Sequence, residues 1–165
     1  MKVFRYITIL LVASLCIVSC SILVPKYATL SNKPDLSNYK YVFITPASVT
    51  TSVSGGTWGN QDNVYGSTSS TSFSPSEVIS GYFMKKGFVR IPAITEELKA
   101  QTLVVSYGES GRKRYGLAYS QEVTLQVLDA TTFGLICSST AEGMGATEAD
   151  DVRKATIKCL DAIFQ

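Results

Sequence analysis

The side chains that most resemble catalytic groups lie in one short segment, Gly108-Glu109-Ser110-Gly111-Arg112-Lys113. Ser110 is flanked by glycines in the manner of a serine nucleophile on a sharp turn, and Lys113 follows at the spacing of a serine–lysine pair. That pair needs one helical turn between its members, whereas the glycines predict a loop. The chain has no histidine, which excludes serine–histidine and cysteine–histidine catalysis and histidine-containing metal sites. We therefore predict no catalytic residue, no metal and no cofactor, and a protein that is not an enzyme.

The amino-terminal residues predict export. Two cations, Lys2 and Arg5, precede an apolar stretch, Tyr6–Val18, which is followed by the small Ser19 and by Cys20. A cationic start, an apolar run and a small residue before the cleavage point are typical of a secretory signal peptide. Residues 1–19 are accordingly predicted to be removed.

The last four residues of this segment, Ile17-Val18-Ser19-Cys20, resemble the lipobox of bacterial lipoproteins. The resemblance implies that Cys20 becomes the first residue of the mature chain and carries the lipid that anchors it to a membrane. Cys16 fits less well, because Leu15 occupies the position that must be small. The alternative is an uncleaved membrane helix over Tyr6–Val24, which reaches the required ~20 residues only by including several polar ones.

The residues after Cys20 indicate where the anchor is held. Ser21, in place of an aspartate, favours the outer membrane, with the protein facing the periplasm, by resemblance to known envelope sorting rules. Residues 20–38 contain Pro25 and Pro34 and show no sustained period, so they are predicted to form a tether with a reach of roughly 20–25 Å.

Charge composition excludes two classes of partner. The chain carries 15 Lys+Arg and 13 Asp+Glu, and loss of Lys2 and Arg5 with the signal leaves 13 of each. A neutral domain has neither the basic face expected of a nucleic-acid-binding protein nor a polybasic membrane patch. We expect a protein partner in the envelope and no nucleic acid.

Two cysteines remain in the mature domain, Cys137 and Cys159. Disulfides persist in exported proteins, so these residues could link the last strand to the last helix. They could equally be small buried apolar residues, which free cysteines often are. The sequence leaves both alternatives open.

Residues 39–165 predict one α+β domain. A strand at 39–44 precedes a Ser- and Gly-rich insertion, 48–73, which is predicted to be a protruding hairpin or long loop. Ser74-Pro75-Ser76-Glu77 then predicts a capped helix that ends near Gly87. Short strands at 88–91 and 102–107, a glycine-bounded loop at 108–116, a hairpin of two long strands and a final helix from Thr147 follow. This order predicts a two-layer sandwich, with a mostly antiparallel mixed sheet and two helices on one face.

Five segments carry a family resemblance: Tyr39–Ile44, Met84–Phe88, Thr102–Gly108, the hairpin from Glu122 to Ser139, and Ala162–Phe164. Their order resembles that of envelope lipoproteins of unknown function whose domain is similar to the amino-terminal domain of TolB and to lipoprotein activators of peptidoglycan synthases. The resemblance implies a binding or assembly module and supplies no catalytic residues. The insertion at 48–73 departs from that pattern.

Two hypotheses follow for what the domain does. In the first it docks a protein partner through Arg112, Lys113, Arg114, Tyr115 and Tyr119, together with Trp58 and Tyr65, because tyrosine, tryptophan and arginine dominate interface energetics. The alternative reading of these residues is a solvated basic turn beside a mobile loop. In the second hypothesis the chain is a self-assembling structural subunit. The insertion has too few apolar residues to span a membrane in that role.

Overall fold

The computed structural model describes residues 28–60, 63–115 and 118–165, and for 53–60, 63–71 and 115 it describes the backbone. A six-stranded mixed sheet forms one layer, and two helices pack on it, which confirms the predicted α+β class. The strands of this sheet are β1 (Thr29–Leu30), β2 (Tyr41–Ile44), β5 (Val89–Arg90), β6 (Thr102–Tyr115), β7 (Ala118–Asp129) and β8 (Leu135–Gly143). The helices are α1 (Pro75–Lys85) and α2 (Glu148–Phe164), and a 3₁₀ turn covers Lys99–Gln101.

The sheet has the order β1-β8-β7-β6-β2-β5. β2 runs parallel to both of its neighbours, β5 and β6, and the remaining pairs are antiparallel. Alternate residues of β7 (Val123, Leu125 and Val127) are fully buried on the side that faces the helices. This period of two is what a sheet covered on one face produces.

A separate hairpin stands outside this sheet. Among the strands that the structure describes, β3 (Thr50–Asn60) and β4 (Asn63–Phe73) pair only with each other, in register from Thr50↔Phe73 to Asn60↔Asn63 without a bulge. We call this pair the ribbon. It confirms the hairpin predicted for the insertion. Phe73 at its base is buried in the core, so the ribbon is fixed to the domain at that end.

Helix α1 begins and ends where its sequence predicts. Ser74 is the N-cap with Pro75 in the first turn, although the Ser74 side chain makes no capping hydrogen bond. At the other end Gly87 has φ +94°, and the Phe88 N–H donates to the Phe83 carbonyl at 3.1 Å. This is a Schellman motif, which needs glycine because its φ is positive. The Phe83 and Phe88 rings complete it with centroids 5.3 Å apart.

Three segments differ from the sequence prediction. Residues 108–116 were expected to form a loop, but the structure continues β6 through Tyr115, because β7 supplies a hydrogen-bonding partner along this length. Residues 28–38 were expected to belong to the tether. Instead Thr29–Leu30 forms an edge strand on β8, and Ala28, Leu30 and Leu36 pack against the core. The strand expected at 88–91 is limited to Val89–Arg90.

Candidate functional site

The amino terminus of α2 holds two of the hairpins, the ribbon and the β6–β7 hairpin. Thr147 caps the helix, its Oγ1 accepting the Asp150 N–H at 3.3 Å. The Ala149 N–H donates to Ser52 Oγ in the ribbon at 2.8 Å, so a side chain from β3 occupies another of the free donors of the first turn. Arg112 of β6 reaches the same turn from the other side. The ribbon and the β6–β7 hairpin are therefore fixed to one helix end.

A bulge in β6 turns Arg112 toward this helix. Glu109 pairs with Val123 and Arg112 pairs with Gln121, so β6 contains one extra residue between the two pairs. Because Gln121 is buried on the helix-facing side, its partner Arg112 faces the same way. Gly111, with φ +93°, lies within the bulge, at a conformation that other residues rarely adopt.

Arg112 contacts three side chains. One guanidinium nitrogen lies 3.4 Å from Asp151 Oδ2, the other lies 3.8 Å from Glu148 Oε2, and the guanidinium carbon is 4.6 Å from the Tyr119 ring centroid. Asp151 is 1% exposed, whereas Arg112 is 38% exposed. The exposed arginine therefore spreads over a tyrosine ring and two acidic residues of its own chain.

Asp151 is also bound by the backbone. The Gly145 N–H donates to its Oδ1, which fixes the loop between β8 and α2. Burial raises the pKa of this carboxyl, while the Gly145 hydrogen bond and Arg112 act in the opposite direction. The net raised pKa indicates that two partners do not fully compensate the loss of water around the carboxylate.

Lys113 points to the opposite side of β6, where two glutamates bind it. Its Nζ lies 3.1 Å from Glu122 Oε2 and 3.2 Å from Glu142 Oε1. The hydrogen bonds that Lys113 donates to Glu122 and to Glu142 raise its pKa. Ser110, by contrast, is an exposed residue of the bulge. The serine–lysine spacing therefore falls on a bulged strand, where the lysine amine is held by two carboxylates.

The structure divides the predicted partner-binding residues into three sets. Arg112 and Lys113 are held in ion pairs within the domain, and Tyr119 is 42% exposed beneath Arg112. Arg114 is exposed, lies opposite Tyr119 in the register and also has an interaction within the chain. The side chains of Trp58, Tyr65 and Tyr115 lie outside the described part of the protein, although Trp58 and Tyr65 face each other in the ribbon register.

The sequence interpretation missed the role of Asp151. The structure buries its side chain against the β8–α2 loop and Arg112. A signal was present, because Asp151 lies four residues before Ala155 and eight before Cys159, on the buried stripe of α2. A charged residue on such a stripe predicts a paired, structural role.

Cys137 and Cys159 are free, buried thiols in the structure. The Cys159 thiol donates to the Val123 carbonyl at 3.5 Å. Burial raises the pKa of each thiol to about 11, which makes both poor nucleophiles at neutral pH. Of the two alternatives that the sequence left open, a disulfide or two buried free cysteines, the structure has the buried free cysteines. Cys20 lies outside the described residues.

An open groove of about 450 Å³ lies at the other end of the domain. Its lining includes Lys33, Tyr39, Lys86, Phe88 and Phe164. The Lys86 amine lies 5.4 Å from the Phe164 ring centroid, so the groove combines a cation with an aromatic wall. No sequence pattern predicts it, because its walls come from residues 33–39, 86–88 and 163–165.

Gly111→Ala tests whether the bulge requires a residue that tolerates a positive φ. An added Cβ would meet no atom within 4 Å, so the cost is that of φ +93° alone. We expect the free energy of unfolding to fall by about 1–2 kcal/mol, measured by urea denaturation of the full chain in detergent. Gly108→Ala is the matched control, since that site is also open and has no positive φ. Equal stability of the two variants would contradict a strained bulge.

Within the described ranges, no helix is long and apolar enough to cross a membrane. The same part of the chain contains no group of three or more His, Cys, Asp or Glu side chains that could hold a metal ion.

No family model and no curated protein matches this chain. The solved structures that are similar in fold include two of PelC. A PelC dodecamer from Paraburkholderia phytofirmans has a TM-score of 0.50 and 12% identity, over 84% of this chain and 96% of that one. A dodecamer of a PelC variant from the same organism has a TM-score of 0.48 and 14% identity, over 86% and 95%. At these identities the similarity concerns the fold alone. The resemblance to the TolB domain and to activators of peptidoglycan synthases stays a prediction.

Proposed function

We propose that this chain is a lipid-anchored, non-catalytic assembly module of the bacterial envelope, held at the outer membrane through Cys20 and facing the periplasm. The observation that carries the assembly role is the ribbon, which stands outside the main sheet yet is bonded at its base to α2. An element of this length that is fixed to the core at its base is suited to binding something outside the domain.

The polar residues around α2 support a binding role over a catalytic one. Arg112, Lys113, Asp151 and Glu142 bind one another across elements instead of converging on an open cavity. The Arg112–Asp151 pair holds the β6–β7 hairpin to α2, and the Lys113–Glu142 pair joins β6 to β8. The Ser52–Ala149 hydrogen bond holds the ribbon to the same helix. A rigid support for protruding hairpins is a property of a docking or assembly protein.

The direction of β1 supports an anchor near the ribbon and the β6–β7 hairpin. β1 is antiparallel to β8, with Thr29 opposite Thr140, so the chain reaches the domain from the end at which β8 passes into α2. Seven residues, 21–27, separate Cys20 from Ala28. Fully extended they span at most about 25 Å. The lipid would therefore hold the hairpin-bearing end close to the membrane.

Self-assembly is the second candidate function. The fold is shared with PelC, which crystallised as a dodecamer. A structural subunit that repeats around a ring needs a surface able to bind another copy, and the ribbon offers unpaired strand edges for this purpose. Docking of a different envelope protein at Tyr119 and Arg114 remains the competing proposal.

Cys20→Ser tests the anchor. We expect the variant to move from the membrane fraction to the soluble fraction and to incorporate no labelled fatty acid, because serine has no thiol to carry the lipid. Cys16→Ser is the matched control and is expected to behave like the wild type. Fractionation of cells grown with a labelled fatty acid measures both outcomes. A Cys20→Ser protein that stays in the membrane would support the uncleaved helix and overturn the lipid anchor.

A further inference from the structure

We propose that the ribbon binds the ribbon of a second copy of this chain, edge to edge, and extends its two strands into a shared sheet. This inference rests on the proposed assembly function and names its surface and its partner. It concerns β3 and β4, whose backbone pairing is complete from the base to Asn60↔Asn63.

The outer edges of the ribbon have no partner strand among residues 28–60, 63–115 and 118–165. β3 and β4 form a two-stranded sheet there, so each strand presents one row of backbone N–H and C=O groups outward. A two-stranded hairpin is marginally stable in water by itself, and a third strand is the usual source of added stability. The ribbon therefore has both the free groups and the energetic reason to accept another strand.

The main sheet shows how this protein protects an edge elsewhere. Its two edge strands, β1 and β5, contain two residues each, and such short edges offer little length for a foreign strand. The strands of the ribbon contain 11 residues each. Neither contains a lysine, an arginine, an acidic residue or a proline, the residue types that normally prevent edge pairing. In the part of the chain that the structure describes, the ribbon therefore has long edges that none of these protects.

Composition favours a second copy over a different protein. Without a charged residue, β3 and β4 offer no electrostatic pattern to select a charged partner. Their own pairing already matches serine and threonine with one another, as at Thr51↔Ser72, Ser52↔Thr71 and Ser54↔Ser69. Serine and threonine pairs stabilise neighbouring strands by hydrogen bonding. A ribbon strand from another copy would present the same serine and threonine residues that β3 and β4 already pair with in each other.

The base of the ribbon makes the surface rigid enough for this purpose. Ser52 accepts the Ala149 N–H at 2.8 Å, and Phe73 is buried in the core. The edges are therefore presented at a fixed root and not on a free loop. Anchoring of several copies in one membrane plane would further raise their local concentration.

The test uses the full lipidated chain in detergent and measures its protein mass by light scattering. The ribbon variant carries Thr57→Lys and Ser70→Lys, one on each strand and not opposite each other in the register. The control variant carries Ala93→Lys and Gln126→Lys, two exposed positions outside the ribbon. We expect a dimer or larger assembly for the wild type and the control. For the ribbon variant we expect a monomer, or at least a tenfold weaker self-association.

A second measurement does not depend on the lysine variants folding. A single cysteine at Ser54 or at Ser70, oxidised in native membranes, is expected to give disulfide-linked dimers of this chain, whereas a cysteine at Ala93 gives none. Cys137 and Cys159 contribute little background because both are buried. Crosslinking of Ser54→Cys and Ser70→Cys only to a different protein would overturn the choice of a second copy.

Two further outcomes would overturn the proposal: a monomeric wild type, or a ribbon variant with the same mass as the wild type. These results are independent of the anchor. If Cys20→Ser stays in the membrane while the ribbon variant alone is monomeric, the lipid anchor fails and the ribbon interface stands. If Cys20→Ser leaves the membrane and the wild type is monomeric, the lipid anchor stands and the ribbon interface fails.

Discussion

Gly143→Ala is expected to lower the free energy of unfolding by about 3 kcal/mol, one of the two largest effects that we predict for a single substitution. Gly143 ends β8 directly beneath α2. A Cβ at this position would lie 1.8 Å from the Asp151 carbonyl oxygen and 2.6 Å from the Ala155 nitrogen. These two backbone atoms form one turn of the helix, which cannot rotate away as a flexible side chain could. The helix itself must move off the sheet.

The measurement is the urea midpoint of the full chain in detergent, followed by far-UV circular dichroism. Gly81→Ala is the matched control, because an added Cβ there meets no atom within 4 Å and the residue lies inside α1. That control is expected to gain about 0.5–1 kcal/mol, since alanine is the better helix former. A Gly143→Ala protein as stable as the wild type would show that α2 does not pack on the end of β8 as described.

Asp151→Ala is the second large effect, an expected loss of about 2 kcal/mol. The substitution leaves the Gly145 N–H without its acceptor and removes the more buried of the two carboxylates that bind Arg112. Asp151→Asn is the informative comparison. Its amide oxygen can still accept the Gly145 N–H, so we expect its stability to remain within about 1 kcal/mol of the wild type at pH 7. Equal losses in the two variants would contradict this account, since they would make the charge and not the acceptor decisive.

The stability difference between the wild type and Asp151→Asn is expected to depend on pH. Burial raises the pKa of Asp151 above the ordinary value, so the ionised carboxylate costs folding free energy at neutral pH. This cost is absent below the unfolded-state pKa of about 3.9 and is complete once the pH has risen through the folded-state value. Asp151→Asn has no such cost. The stability of the wild type relative to Asp151→Asn should therefore increase as the pH is lowered through this interval, measured by urea denaturation at each pH.

Both substitutions also bear on the proposed function, because α2 supports the ribbon. The Ala149 N–H that holds Ser52 lies in the same turn as Asp151 and Glu148. A helix displaced by Gly143→Ala would move the root of the ribbon. If the ribbon is the surface that joins two copies, loss of this support should weaken self-association even though no ribbon residue has changed.

Much of the fold could be predicted because its signals are local. Pro75 after Ser74 and the glycine at Gly87 define α1 within the span of the helix. The alternation of Val123, Leu125 and Val127 predicts a half-buried strand from its own residues. The loop expected at 108–116 was wrong for the opposite reason. Its glycines are a local signal for a turn. Pairing with β7 nevertheless keeps this segment in a strand, because the bulge at Gly111 accommodates one extra residue.

The candidate site could be predicted in its residue types but not in its contacts. The cluster at Arg112–Arg114 was identified as basic from sequence, yet whether those charges are available depends on Asp151, Glu142 and Glu122. Asp151 and Arg112 are 39 residues apart, and Ser52 and Ala149 are 97 apart. A periodic pattern describes one helix or strand, so it cannot predict contacts between residues this far apart in the sequence. Such contacts form only when the long loops between them are closed by the rest of the fold.

The sequence by itself determined the α+β class, both helix boundaries, the uncharged composition of the ribbon and the absence of histidine chemistry. These follow from residue types and short spacings, which act within one element. Only the tertiary structure decided that Arg112 and Lys113 form ion pairs within the domain and that residues 28–38 lie on the domain. It also decided that the ribbon and the β6–β7 hairpin meet at α2. The physical reason is that an ion pair, an edge strand or a helix cap supplied from afar exists only once distant segments have been brought together by burial of the core.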